Sequence, residues 1–83
     1  MEILLHPHCV ARMKERGITE ATVRSVVQNG IANPAKLGRT SFRLVVEYND
    51  TWRGRWYRNQ EVVAIAAQAQ EGWLVITAIA KYY

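Results

Sequence analysis

The segment from Glu61 to Lys81 limits the possible folds more than any other part of the chain. Glu61–Gln70 and Trp73–Lys81 are two runs rich in Val, Ile, Leu and Ala, joined only by Glu71-Gly72. Two runs of strand length joined by so short a link must pair antiparallel, because a parallel crossover needs a dozen residues or more. In the second run Leu74, Ile76, Ala78 and Ala80 make one apolar face, and Trp73, Val75, Thr77, Ile79, Lys81 and Tyr83 make a mixed one. Strict alternation puts the first face against whatever covers the sheet. A further strand precedes the hairpin, since Phe42, Leu44, Val46 and Tyr48 alternate with Arg43, Val45, Glu47 and Asn49. Asn49-Asp50 then begins a turn, and Thr51–Gln60 follows as a polar, aromatic stretch that Gly54 marks as an exposed hairpin.

The first half of the chain has helical period. After a short apolar strand, Met1–Leu5, Pro7 sits where a first helical turn tolerates the missing donor, and Cys9, Val10 and Met13 gather on one side. Gly17 offers the left-handed residue that ends this helix. Thr19 predicts the cap of a second helix running to about Asn29, with Ile18 and Val23 as a hydrophobic staple and Val23, Val26 and Val27 as its apolar stripe. Ile31–Arg39, with Asn33-Pro34 and Gly38, reads as a connection holding one short strand. The expected architecture is α+β: an N-terminal strand, then an αα hairpin on one face of a four- to five-stranded, mainly antiparallel sheet. At 83 residues the chain has apolar surface for one core, so residues 1–83 form a single domain.

Eleven basic against seven acidic side chains give +4, a modest bias towards phosphate-bearing partners. Residues 39–58 are the most basic part, with Arg39, Arg43, Arg53, Arg55 and Arg58 against Glu47 and Asp50. Cys9 is the only cysteine, which excludes an intrachain disulfide and a Cys-rich metal site. The longest apolar run, Leu74–Ala80, is far short of the ~20 residues of a membrane span, and Met1–Leu5 carries Glu2 and lacks signal-peptide form. The expectation is a cytoplasmic protein without a membrane partner or cofactor.

His8, Arg12 and Arg16 follow an i, i+4, i+8 spacing, which sets them within about 80° of one another on a single helix flank. Neighbouring arginines require an anion between them. Glu15 or Glu47 would supply it from within the chain, giving a flank held by ion pairs, and a phosphate would supply it from outside.

The run His8-Cys-Val-Ala-Arg12-Met-Lys-Glu-Arg16-Gly17-Ile18, a Thr cap and a second short helix, together with Val75-Ile76-Thr77-Ala78 and Tyr82-Tyr83 at the other end, resembles a widespread family of small bacterial domains of unknown function. That family is in turn similar to the RelE and ParE toxins and to the wider barnase and EndoU-like ribonuclease fold. The resemblance implies a RelE-like sheet with two helices and a toxin-type, metal-independent ribonuclease acting on RNA, whose site would be carried by His8, Arg12, Arg16, Thr77 and Lys81. Such chemistry needs a base for the 2′-hydroxyl proton, cations for the phosphorane and an acid for the leaving 5′-oxygen. Histidine, with an ordinary pKa of about 6.5, exchanges protons readily near neutrality. His8 is then the proton carrier, Arg12, Arg16 and Lys81 hold the phosphate, Thr77 donates to it, and Tyr83 is a candidate acid. The plainer alternatives are a helix-start histidine bonded to backbone and a threonine present for strand propensity.

Trp52-Arg-Gly-Arg-Trp56-Tyr-Arg58 interleaves arginines with aromatics, a combination that tracks a nucleic-acid backbone while bases stack on rings. With Arg43, the residues Trp52, Arg53, Arg55, Trp56 and Arg58 form a candidate nucleic-acid surface. The same residue types favour protein interfaces, so an antitoxin or a second subunit is an equal reading, and Trp52 and Trp56 closing one end of the core is a third. The functional alternative from another class is a non-catalytic nucleic-acid- or protein-binding module of the same fold. His6-Pro7-His8-Cys9 lacks a fourth zinc donor beyond Glu2, and Asp50 is the only aspartate, so no metal site is expected.

Overall fold

The computed structural model describes residues 1–83. The elements are β1 (Glu2–Leu5), α1 (Pro7–Arg16), α2 (Glu20–Asn29), β2 (Ile31–Pro34), a 3-10 turn (Lys36–Gly38), β3 (Thr40–Trp52), β4 (Arg55–Ala69) and β5 (Gly72–Tyr82). The five strands form one sheet in the order β1-β5-β4-β3-β2. β1 lies parallel to β5, and every other neighbouring pair is antiparallel. The fold is therefore α+β, with an αα hairpin on one face of a five-stranded mixed sheet.

Each helix is bounded by its own sequence. The His6 ring Nδ1 accepts the His8 backbone N–H at 3.0 Å, so His6 caps α1 and Pro7 follows where no donor is needed. At the other end the N–H groups of Gly17 and Ile18 both donate to the Met13 carbonyl. The Thr19 hydroxyl accepts the Thr22 N–H at 3.1 Å and starts α2, while Ile18 and Val23 are both buried, as a staple requires.

The core lies between the helices and one sheet face. Cys9 and Met13 come from α1, Val23, Val26 and Val27 from α2, and Val62, Ala64, Ala66, Val75 and Ala78 from the sheet. Alanines on β4 and β5 let the helices approach closely, and Phe42 meets Trp73 edge to face at 4.9 Å. Val10 is exposed and lies outside the core that its helical neighbours enter.

Two strand assignments differ from strict alternation. In β5 the register passes from Ile65↔Thr77 to Ala66↔Val75, which leaves Ile76 as an extra, bulged residue. The core side of β5 is thus Trp73, Val75, Ala78, Ala80 and Tyr82, so the expected face Leu74, Ile76, Ala78, Ala80 holds only beyond the bulge. In β3 the expected turn at Asn49-Asp50 is also a bulge, with Asn49 at φ 47° between the pairs Glu47↔Asn59 and Asp50↔Tyr57. The actual turn is Arg53-Gly54, where both residues have positive φ (52° and 82°), as a two-residue primed turn demands. Thr51–Gln60 is therefore strand and tip. Because β2 pairs with β3 only over Thr40–Arg43 and β5 with β4 only over Gln60–Ala69, residues 47–58 form a two-stranded ribbon. It lengthens the molecule to 40 × 23 × 22 Å.

Candidate nucleic-acid interface

The helix flank comes first, because its spacing is fixed by α1. Arg12 pairs with Glu15 at 2.7 Å, both side chains exposed. Arg16 turns the other way, and its guanidinium donates to the Ala78 carbonyl at 2.6 Å on the edge of β5 beyond the reach of β1. His8 is exposed, and its imidazole has no hydrogen-bond partner within the chain. Thr77 pairs with Ile65 and Lys81 with Glu61, on the sheet face opposite the core. Tyr83 alternates to that same face and is held to Asn59 by two backbone hydrogen bonds. The sheet thus separates His8, Arg12 and Arg16 from Thr77, Lys81 and Tyr83, and these six residues do not converge on one point.

The ribbon sorts its aromatics in the same way. Gly17, at φ 69°, presents no side chain towards Trp52, and a Cβ there would stand 2.7 Å from the indole carbons and from the Tyr82 hydroxyl. Trp52 stacks on Tyr82 with ring centroids 5.6 Å apart, and Tyr48 and Tyr57 also pack on Tyr82. Tyr82 donates its hydroxyl to the Arg16 carbonyl and accepts from the Gln60 amide at 2.9 Å, while that amide also donates to the Gly17 carbonyl at 3.2 Å. Burial raises the pKa of Tyr82 above its ordinary value, and the nearby Tyr48 phenol adds to this; the Gln60 hydrogen bond and the Arg53 charge act against it. Arg53 donates to the Glu15 carbonyl at 2.9 Å and lies 5.1 Å from the centre of the Trp52 ring. Trp52 by packing and Arg53 by a donor and a positive charge therefore fasten the ribbon to the C-terminus of α1, where helix carbonyls lack partners.

The other side of the ribbon is free. Thr51 pairs with Trp56 across the strands, so Trp56 and Arg58 point away from Trp52, Arg55 and Tyr57. Trp56 is 59% exposed. Arg43 is tied to Glu61 at 2.8 Å, and Arg55 rests 5.9 Å from the centre of the Tyr57 ring. Arg39, Arg58, Lys14, Lys36 and Lys81 make no ion pair or side-chain hydrogen bond. Of the six candidate interface residues, Trp56 and Arg58 stay wholly available, while Arg55 lies on the opposite side of the ribbon over Tyr57.

Several residues that position these groups were not singled out by sequence. Gln60 is buried, and its amide fixes both Gly17 and Tyr82; its one signal was a polar residue opening an otherwise aliphatic run. Arg24 donates to the Ile3 carbonyl at 2.9 Å on the outer edge of β1 while paired with Glu20. The i, i+4 spacing announced only the second of these contacts. Cys9 is buried, which raises its thiol pKa and disfavours the thiolate a nucleophile needs. No three His, Cys, Asp or Glu side chains stand close enough to hold a metal ion, and neither helix is long and apolar enough to cross a membrane.

With the two helices, the sheet and the ribbon in place, comparison with known families assigns the class. The model of a domain of unknown function (DUF4258) matches residues 5–80, nearly the whole chain, and the protein belongs to that family. No curated protein and no solved structure matches it.

Proposed function

We propose that the domain binds single-stranded RNA along the free side of the β3–β4 ribbon, with Trp56 as a stacking surface and Arg58 as a phosphate contact. The observation that carries this reading is Trp56, an exposed indole beside an unpaired arginine on the side of the ribbon that the fold does not use. A large exposed ring gains little from water, whereas a stacked base, whichever base it is, covers it. The net charge of +4 favours a polyanion, and the resemblance to RNA-cutting toxins favours RNA among polyanions. A cytoplasmic location accords with that ligand. The test is anisotropy titration of a labelled RNA oligonucleotide: Trp56→Ala should weaken binding by about 1–3 kcal/mol, roughly 5- to 150-fold, with an unchanged melting temperature. Absence of binding by the wild-type chain would end the proposal.

A second reading, toxin-type RNA cleavage, rests on His8, whose unbonded imidazole stands one helical turn from Arg12. Exposed ion pairs such as Arg12–Glu15 are weak, so a phosphate can take the place of Glu15. His8 would then accept the 2′-hydroxyl proton while Arg12 meets the charge on the phosphorane. Thr77, Lys81 and Tyr83, across the sheet, have no part in this version, which leaves it without Tyr83 as the acid for the leaving 5′-oxygen. For that reason binding without cleavage is the first proposal. Incubating RNA with wild type, His8→Ala and Arg12→Ala separates the two: cleavage abolished by either change supports the second reading, and intact RNA with wild type removes it.

A further inference from the structure

The sheet has helices on one face only. On the other, β4 presents Glu61, Val63, Ile65 and Ala67, an outward row that is apolar after its first member. Antiparallel sheets with one solvated face normally alternate apolar-in with polar-out, and here the outward side departs from that rule. Around Val63 and Ile65, the residues Leu4, Val45, Ile79 and Ile31 are 49, 42, 47 and 61% exposed. Only 14 of 83 residues are buried, because one layer of the sheet has nothing packed on it.

We infer that this helix-free face pairs two copies of the chain face to face. Three observations choose a second copy as the occupant. The first is charge. Below the ribbon, over residues 2–5, 31–34, 40–47, 60–69 and 72–82, the face carries Glu2, Glu47 and Glu61 against Arg43 and Lys81, so this part of it has no excess positive charge to attract a polyanion. The second is its arrangement. Arg43 and Glu61 neutralise each other at 2.8 Å. Lys81 on β5 and Glu47 on β3 are both exposed and flank β4 near the same end, at the pairs Glu61↔Lys81 and Glu47↔Asn59. A two-fold axis running along β4 exchanges the positions over β5 and β3: it sets Lys81 of each copy over Val45 of the other, about 7 Å along the strand from Glu47, and sets the two Glu61 side chains, each neutralised by its own Arg43, against each other on the axis. The third is area. β3, β4 and β5 over about seven residues each and the four-residue strands β1 and β2, spaced about 4.8 Å with ~3.4 Å per residue, present roughly 470 Å² per copy, and the pair comes to about 950 Å², close to the ~1,000 Å² that specific interfaces need. Sheets stacked in this way form the aligned sandwich arrangement, with the helices outermost.

The test uses the full chain in sedimentation velocity over a range of micromolar concentrations. Wild type should be a reversible dimer. Ile79→Lys, at a position already half exposed, should be monomeric with wild-type circular dichroism. Lys81→Glu and Glu47→Lys should each weaken the dimer several-fold, since each change turns two opposite-charge pairs, offset by about 7 Å along the strand, into like-charge pairs. An equimolar mixture of those two variants places opposite charges at both pairs, so association should recover to the wild-type level. Recovery is specific to this geometry and does not depend on whether Ile79→Lys folds. A wild type that remains monomeric at every concentration overturns the inference and leaves the face to a partner of different sequence. So does a dimer indifferent to the charge changes.

Discussion

Trp52 and Trp56 are four residues apart on one two-stranded ribbon, and their surroundings are opposite. Trp52 lies on Tyr82 and against Gly17, under the Arg53 guanidinium. Trp56 faces solvent beside Arg58. A two-stranded ribbon has little stability of its own, so the side that docks on α1 holds it in place. The side left over is then a rigid edge on which exposed groups are displayed without further cost in ordering. The same local composition, arginine next to tryptophan, serves as a clasp on one side and as a free surface on the other. What separates the two is the parity of the strand and the absence of a side chain at Gly17.

The contrast is broken most strongly at the clasp. Trp52→Ala removes the ring that joins ribbon to helix and opens a cavity between Gly17 and Tyr82, for which a loss of about 3 kcal/mol is expected. Thermal unfolding of this variant beside Trp56→Ala measures the difference directly, the second being expected within ~0.5 kcal/mol of wild type. Equal losses for the two would mean that the ribbon is not held as described. Gly17→Ala comes next. Left-handed backbone costs an alanine about 1–2 kcal/mol, and the added methyl would also meet the indole 2.7 Å away, so Trp52 must shift. In the Trp52→Ala background the second part of that cost disappears, and a double-mutant cycle should show the coupling.

These contacts explain how far the sequence could be read. The helices were legible because their signals are local: the valine stripe of α2, the Thr19 cap and the Gly17 stop all lie within a turn of what they specify. The final hairpin was legible as well, from its length and its short link. The face of β5 was legible only in part, since a bulge at Ile76 inverts the alternation and a run of Val, Ile and Ala has no mark for one extra residue. The arginines were least legible. Arg16, Arg24 and Arg53 each donate to a backbone carbonyl, at Ala78, Ile3 and Glu15. Every residue owns such an acceptor, so nothing in the sequence distinguishes an arginine bound to a sheet edge from one awaiting a phosphate. The proposed helix-flank site shrank for this reason: Arg16 was already occupied, and Thr77 and Lys81 stood across the sheet.

Tyr82 tests the clasp by pH. Its hydroxyl both donates to Arg16 and accepts from buried Gln60, so Tyr82→Phe leaves polar partners unmatched and should cost about 1–3 kcal/mol at neutral pH. Because burial raises its pKa above 10.0, the folded state favours the neutral phenol. That contribution is complete below the unfolded value and is lost as pH rises through the folded one. Urea unfolding of wild type should therefore weaken above about pH 10, and Tyr82→Phe should weaken less over the same range. A parallel decline in both would place the alkaline sensitivity elsewhere.

The smallest effects on stability, and the sharpest comparison, come from Arg53 in the turn and Arg58 on β4. Arg53→Ala removes a hydrogen bond to the Glu15 carbonyl and a cation above Trp52, an expected loss of about 1 kcal/mol. Arg58→Ala removes no internal contact and should leave the melting temperature unchanged. RNA affinity measured against salt should reverse that order. If Arg58 neutralises a phosphate, its loss lowers the slope of log K on log salt by about 0.7, the single-strand value for one contact. Arg53, turned towards α1, contributes no such contact, so its variant keeps the wild-type slope provided it is measured below its melting transition. A flattened slope for Arg53→Ala with none for Arg58→Ala would move the RNA to the clasp side of the ribbon, where Trp52 would have to leave Tyr82 to admit a base.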